Sequence, residues 1–312
     1  MVRWRARGVT AVVTAVLACC ALLAGCGPDF GGLPRLRLAA GNPGGVYDQL
    51  AQPLANAWGN DLAVARPEIQ QTGGSPENVD RVLTGRADVA FAAADVAVDR
   101  AAKNPGKLCA LARIHDDYLH VVVRADSPIR SVADLHDRRI AVGSPESGVA
   151  FIASALLQVA GLDPKKVRQL GLTDSLDALA REDIDAFFWS GGLPTPAIAE
   201  RAHASGLRLL DIHDLLPPMH ARSAVYGTAT IPASVYAQPG PVTTLVVPNF
   251  LVVPASMPDD VAEALVRSLF GARQRLAEAN QAALSIDVHP GIETAPLPLH
   301  PGALRYYRGL KS

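Results

Sequence analysis

From residue 36 onward the chain alternates short apolar runs with segments whose apolar positions recur every three or four residues, so strands and helices are expected in turn. Leu36–Ala40 reads as a short strand and Gly41-Asn-Pro-Gly-Gly45 as a glycine-rich turn. Val46–Trp58 reads as a helix with Val46, Leu50, Leu54 and Trp58 on one face, kinked or weakened at Pro53. Residues 62–70 read as a strand. Thr72-Gly-Gly-Ser75 then opens a helix, with Ser75 as its N-cap, Pro76 in its first turn and Gly85 just past its end. Ala87–Phe91 reads as a buried strand, and Asp95 is expected to satisfy backbone N–H groups where the next helix starts. Leu119–Arg124 reads as a further strand.

The same grammar returns downstream. Arg138–Gly143 reads as a strand, Ser144–Gly148 as a turn, and Val149–Ala160 as a helix closed by Gly161. Ser175–Arg181 is expected to be helical and Ile184–Trp189 extended. Ser75–Phe91 and Ser175–Phe187 both run from a serine through an apolar helix to an acidic-apolar strand ending in Ala-Phe or Val-Ala-Phe. This faint repeat predicts two similar α/β lobes rather than one large sheet. Thr243–Val253 is an apolar run whose Pro248 argues for an edge or a crossing. A long amphipathic helix is expected over Pro258–Asn280, and Pro298–Tyr307 is expected to pack against the body.

Composition narrows the function classes. Of 312 residues 49% are hydrophobic, enough for real cores, and the length suits two lobes. Aromatics are only 5% and the net charge is −1 with no basic stripe, which argues against nucleic-acid partners. Residues 1–25 read as a signal peptide: Arg3, Arg5 and Arg7 precede an apolar core that ends in Leu23-Ala24-Gly25-Cys26. That ending resembles the bacterial lipobox, which implies that Cys26 is lipidated and that residues 26–35 tether the body to a membrane. Cys109 is then the only cysteine of the body and reads as a small core residue. The eight histidines show no metal-ligand spacing, and no cofactor fingerprint occurs. Gly143-Ser-Pro-Glu-Ser-Gly148 lacks the spacing of a nucleophile elbow, so no enzyme is expected.

Glycine- and serine-rich turns before helices are the places where open α/β sheets bind ligands, because backbone N–H groups are exposed and helix N-termini attract anions. The positions expected to line such a site are Asn42, Gly44, Gly45, Val46 and Tyr47 in the first turn and Gly74, Ser75 and Asn78 in the second. Ser144, Ser147 and Gly148 in the third turn, and Gly191 after the strand ending at Trp189, complete the set. A two-lobed clamshell that holds a small organic solute follows from this pattern.

Several motifs in order carry a family resemblance. They are Asn42-Pro-Gly-Gly-Val-Tyr47, Thr72-Gly-Gly-Ser75, Ala87-Asp-Val-Ala-Phe91, Gly143–Gly148, Pro194-Thr-Pro196, Ala229-Thr-Ile-Pro232 and the closing Leu297–Tyr307. Together they resemble the TAXI family of solute-binding proteins, receptors of TRAP transporters. The resemblance implies a periplasmic-binding-protein type II clamshell with mixed β-sheets flanked by helices, and two crossings between lobes. Lobe 1 would hold residues 36–124 and 247–312, and lobe 2 residues 125–246, with hinges near Arg124–Asp126 and Leu245–Val247. It further implies capture of a small solute, carboxylate or amino-acid-like, for TRAP membrane subunits; a lipoprotein that senses the solute for a membrane partner is the alternative. The chain departs from the family at Asn42-Pro43, at Asp48 after Tyr47, and at Ala93-Ala94 before Asp95. Fewer polar groups and an added acid weaken the transfer of a dianionic ligand and favour a less acidic, more apolar or amine-bearing one.

Overall fold

A computed structural model describes residues 30–163 and 167–310. The expected signal peptide, the lipidation site Cys26 and the next three residues of the tether lie outside the described residues. The chain divides into units Met1–Leu33 and Pro34–Ser312. Of the first, only residues 30–33 are described, a turn in which the Leu33 N–H donates to the Phe30 carbonyl at 2.9 Å.

The second unit opens with β1 (Arg37–Ala39), α1 (Val46–Asp61), β2 (Glu68–Gln70), α2 (Ser75–Leu83), β3 (Val89–Ala93), α3 (Ala94–Lys103) and the long β4 (Leu108–Arg124). It continues with β5 (Ile140–Ala141), α4 (Gly148–Val159), β6 (Val167–Arg168), α5 (Leu172–Ala180), β7 (Ala186–Gly191), α6 (Pro196–Ser205), β8 (Leu207–Leu209), α7 (Leu216–Arg222) and β9 (Gly227–Ile231). The second long strand, β10 (Val242–Pro254), precedes α8 (Asp259–Gly271), α9 (Arg273–Ala279), α10 (Val288–Gly291) and α11 (Pro301–Gly309). This is the expected mixed α/β architecture, with helices flanking a mixed sheet.

The sheet has the order β2-β1-β3-β10-β4-β7-β5-β6, with β8 on β4 and β9 on β10. Read from either end, the order is the same: three parallel strands, then an antiparallel long strand. The faint sequence repeat therefore has a physical counterpart. In the first half, the backbone N–H and guanidinium of Arg37 donate to Asp88, at 2.8 to 3.0 Å. In the second half, Arg139 makes the same three bonds to Asp185, at 2.7 to 3.1 Å. Each pair pins the start of its half's middle strand beside the residue that leads into the neighbouring strand.

The halves are not separate sheets, because β4 and β10 belong to both. β4 pairs with β10 over Leu108–Tyr118 and with β7 over Tyr118–Val123. β10 pairs with β9 up to Val246 and joins β3 from Asn249. Pro248 falls in the gap between those two partners, where the strand side it serves needs no donor. The expected crossing is found there, but the strand is central rather than an edge.

Other expectations need correction. Only Glu68–Gln70 of residues 62–70 is extended, because α1 runs through Pro53 to Asp61 and Ala63 turns the chain at φ +53°. The helix expected over Pro258–Asn280 is two helices that meet at Ala272. The strand expected at Leu119 begins eleven residues earlier, at Leu108. The closing peptide does pack: Tyr306 and Tyr307 are buried, and α11 lies so close to α8 that a Cβ on Gly302 would sit 2.0 Å from the Asp259 carbonyl oxygen. Cys109 is buried in β4, as expected of a core residue.

Candidate functional site

A cleft opens where β4 and β10 exchange partners. Asp117 of β4 and Val247 of β10 are register neighbours there, and both line it. The first half of the sheet contributes the turn before α1, the turn before α2, and Ala93 and Asp95 at the β3–α3 junction. The second half contributes Gly143, Ser144 and the start of α4, together with Trp189–Gly191 at the end of β7. Its free space is about 120 Å³. A water takes about 10–15 Å³ on this measure, so the cleft suits a solute of roughly ten non-hydrogen atoms.

Three helices, α1, α2 and α4, aim their N-termini at this space, and each leaves backbone N–H groups for an anionic or polar acceptor. Gly74 precedes α2 at φ +133°, a conformation open to glycine, and its missing side chain lets Ser147 Cα approach. A Cβ on Gly73 would stand 3.1 Å from the Pro145 carbonyl oxygen. The second and third turns thus touch across the cleft, and the two halves meet in a closed arrangement. Opposite them, Trp189 folds its indole over Gly191, where a Cβ would lie 2.6 Å from Nε1, and that nitrogen donates to Thr195 Oγ1 at 3.1 Å.

Ten of the twelve residues expected from sequence line the cleft: Asn42, Gly45, Val46, Tyr47, Gly74, Ser75, Ser144, Ser147, Gly148 and Gly191. Gly44 and Asn78 do not. Gly44 turns the chain at φ +77°, and its N–H donates to Asp48 Oδ2 at 2.9 Å. Asp48 therefore closes its own turn instead of charging the cleft. Asn78 is fully buried: its amide donates to the Ala40 and Phe91 carbonyls, and its Oδ1 accepts from Thr72 Oγ1 at 2.5 Å. It joins β1, β3 and α2 from beneath.

Ser75 is not the N-cap of α2. It is the helix's first residue, and Gly74 stands at the cap. The Ser75 hydroxyl oxygen accepts from the Ala93 N–H at 2.9 Å, so its proton is left for Tyr47 Oη at 3.2 Å, and the Tyr47 hydroxyl donates to Asn249 Oδ1. The Tyr47 ring stacks on Phe91 with centroids 5.1 Å apart. Ser147 is the true cap of the third turn, accepting from the Ala150 N–H at 3.1 Å while donating to the Ser144 carbonyl.

Sequence reasoning missed the electrostatics. Among the described residues, the charged ones that line the cleft are Asp95 and Asp117, and no described Lys, Arg or His lines it. Asp95 is 4% exposed, accepts from the Val96 N–H at 2.8 Å and the Tyr226 hydroxyl at 3.0 Å, and is pushed up to about 6 by burial and by the charge of Asp117. Its expected role at a helix start holds, but it also faces the cleft. Burial, then Asp117, raises the Tyr47 phenol well above its usual range, with Asp95 adding to the shift. Beneath lies His115, with Nε2 3.4 Å from Asp117 Oδ1 but not aligned to bond, so Asp117 Oδ1 and both His115 nitrogens are buried without hydrogen-bond partners. Among the described residues no group of three or more His, Cys, Asp or Glu is arranged to hold a metal, and no helix is long and apolar enough to cross a membrane.

Comparison with known proteins places this geometry. The NMT1-like family model matches residues 38–309. MatC of Rhodopseudomonas palustris with bound malate is similar at 14% identity and a TM-score of 0.57, over 89% of this chain and 98% of that one. XAC2383 of Xanthomonas citri bound to ATP is similar at 16% identity and a TM-score of 0.53, over 89% and 96%. The periplasmic binding protein BugD is similar at 16% identity and a TM-score of 0.51, over 89% and 96%. At such identities these similarities establish the fold, that of periplasmic binding proteins.

Proposed function

The chain belongs to the NMT1-like family, and on that premise we propose that it is an extracytoplasmic solute-binding lipoprotein. It captures a small organic solute, carboxylate or amino-acid-like, between two lobes and delivers it to a TRAP-type membrane transporter as a TAXI receptor. The observation that carries this reading is a cleft at the strand crossing, bounded by both halves of the sheet and faced by three helix N-termini. A carboxylate on the solute accepts from the free N–H groups there. Malate in MatC is compatible with a small-carboxylate receptor on this fold.

Lobe 1, residues 36–124 with 247–312, and lobe 2, residues 125–246, rotate about the crossing. The two connecting segments, near Arg124–Asp126 and Leu245–Val247, absorb the φ/ψ change of that rotation. Solute bridging the lobes stabilises the closed state by its differential affinity for it. Asn42, Gly45, Val46, Tyr47, Gly74 and Ser75 contact solute from one lobe, and Ser144, Ser147, Gly148 and Gly191 from the other. Lipid on Cys26 keeps the receptor at the membrane.

A thermal-shift screen of the protein lacking residues 1–26, against small carboxylates, amino acids, amines and neutral metabolites, tests the reading. A true ligand at 100 times its Kd stabilises by about 2.7 kcal/mol, a readily measured rise in Tm. No rise with any of them overturns it. Loss of cellular uptake of the hit on deletion of this protein supports delivery to a transporter; undiminished uptake overturns delivery.

A further inference from the structure

We infer that the solute this cleft receives carries a protonated amine or another cationic group, seated against Asp95 and Asp117 at the strand crossing. The inference rests on the receptor reading and specifies the chemistry of its ligand.

Among the described residues, the two carboxyl groups that line the cleft, Asp95 and Asp117, have no basic side chain lining it to offset them. Each lies in a poorly hydrated place: Asp95 is 4% exposed, and Asp117 Oδ1 is buried with no hydrogen-bond partner. A buried carboxylate oxygen without a donor is costly and rare, and the closed arrangement leaves it so. Asp95 has its two bonds, to the Val96 N–H and the Tyr226 hydroxyl, but neither brings a positive charge. The neighbouring polar groups offer no remedy. The Tyr47 proton is committed to Asn249, the Ser75 proton to Tyr47, and the Trp189 N–H to Thr195. His115 lies close enough to sense Asp117 but is misaligned for a bond.

What the site lacks is therefore a cation with N–H donors, and an ammonium supplies both. Two carboxylates alone are too few ligands for a metal site, and among the described residues no larger grouping of such ligands surrounds them. The helix N-termini that line the same cleft remain for an acceptor on the same molecule, so a zwitterion has a place for each of its charges. A dicarboxylate, by contrast, would bring two negative charges beside two carboxylates, one buried and one half-buried, that no basic lining residue among those described offsets.

Matched series of two to six carbons test this: ω-amino acids, the same acids without the amine, and the same amines without the carboxylate, with the common α-amino acids added. Each is titrated calorimetrically into the wild-type protein and into Asp117→Asn and Asp95→Asn. The inference expects binding only by amine-bearing compounds, weakened roughly 30-fold or more in Asp117→Asn, as is usual when one partner of a buried charge pair is removed. Binding of an amine-free acid or a neutral solute, with affinity kept or raised in both variants, overturns the inference and leaves the receptor reading standing. Amine binding with unchanged affinity in both variants also overturns the proposed seat. Absence of binding by every compound here and in the wider screen overturns the receptor reading itself. Should either variant fail to fold, the ligand class found for the wild type still decides.

Discussion

Asp95 sets the balance between stability and function at the level of single residues. Its carboxyl is raised from the usual 3.8 to about 6 by burial, so the native state binds its proton more tightly than the unfolded chain does. Stability from this group is complete below pH 3.8 and is lost as pH rises towards 6, by about 3 kcal/mol for a shift of roughly two units. His120 works in the other direction. Burial lowers it to about 4, with Nδ1 bonded to the Tyr118 carbonyl and Nε2 to the Tyr236 hydroxyl, so stability present above pH 6.5 is lost as pH falls through 4. The two contributions nearly cancel between pH 6 and 4. Asp95→Asn keeps an acceptor for Tyr226 and removes one of them. It should be about 3 kcal/mol more stable than wild type at pH 7.5 in chemical denaturation without ligand, with that gain gone by pH 4. An equal offset at both pH values would contradict the assignment. Asn78→Ala, which removes three buried hydrogen bonds, should cost about 3 kcal/mol. At this scale Tyr47, Ser75 and Gly148 were legible, because a glycine turn before an apolar helix marks a ligand-facing N-terminus. Asp117 was not. It lies in His115-Asp-Asp-Tyr118, a polar stretch that interrupts apolar runs, and only its pairing with Val247 reveals it as strand and cleft floor.

Elements follow local pattern well where one signal dominates and poorly where pairing decides. α4 and β10 lie within a residue or so of their expected bounds, because each is a long apolar segment ended by glycine or proline. The break at Ala272 is invisible in an amphipathic pattern that continues through it. The polar middle of β4 is tolerated because β10 supplies its hydrogen bonds along that length. Close approach of elements leaves a sharper mark. Gly302 admits α11 against α8, and a Cβ there would meet the Asp259 carbonyl oxygen at 2.0 Å and Ala262 Cβ at 2.9 Å. Gly302→Ala should therefore separate the two helices and cost about 3 kcal/mol, the upper range for overpacking, seen as a Tm several degrees lower. A Tm within one degree of wild type would mean that α11 shifts without strain.

On the scale of the whole molecule, the two halves of the sheet repeat one plan, down to the Arg37–Asp88 and Arg139–Asp185 clamps. The sequence repeat Ser75–Phe91 and Ser175–Phe187 was the trace of that plan; the shared long strands were not visible in it, since they pair across the repeat rather than within it. At the junction of the two halves lies one cleft, lined from both. The most direct test of solute binding there is calorimetric titration of the screen's best solute into wild type and Gly148→Val. Gly148 opens α4 opposite Ser75, and a Cβ there already stands 3.4 Å from the Ser75 hydroxyl, so the larger side chain fills the cleft from one wall. One-to-one binding to wild type and at least a 100-fold loss in the variant are expected, with its circular dichroism unchanged. Equal affinity in the two proteins would contradict binding there.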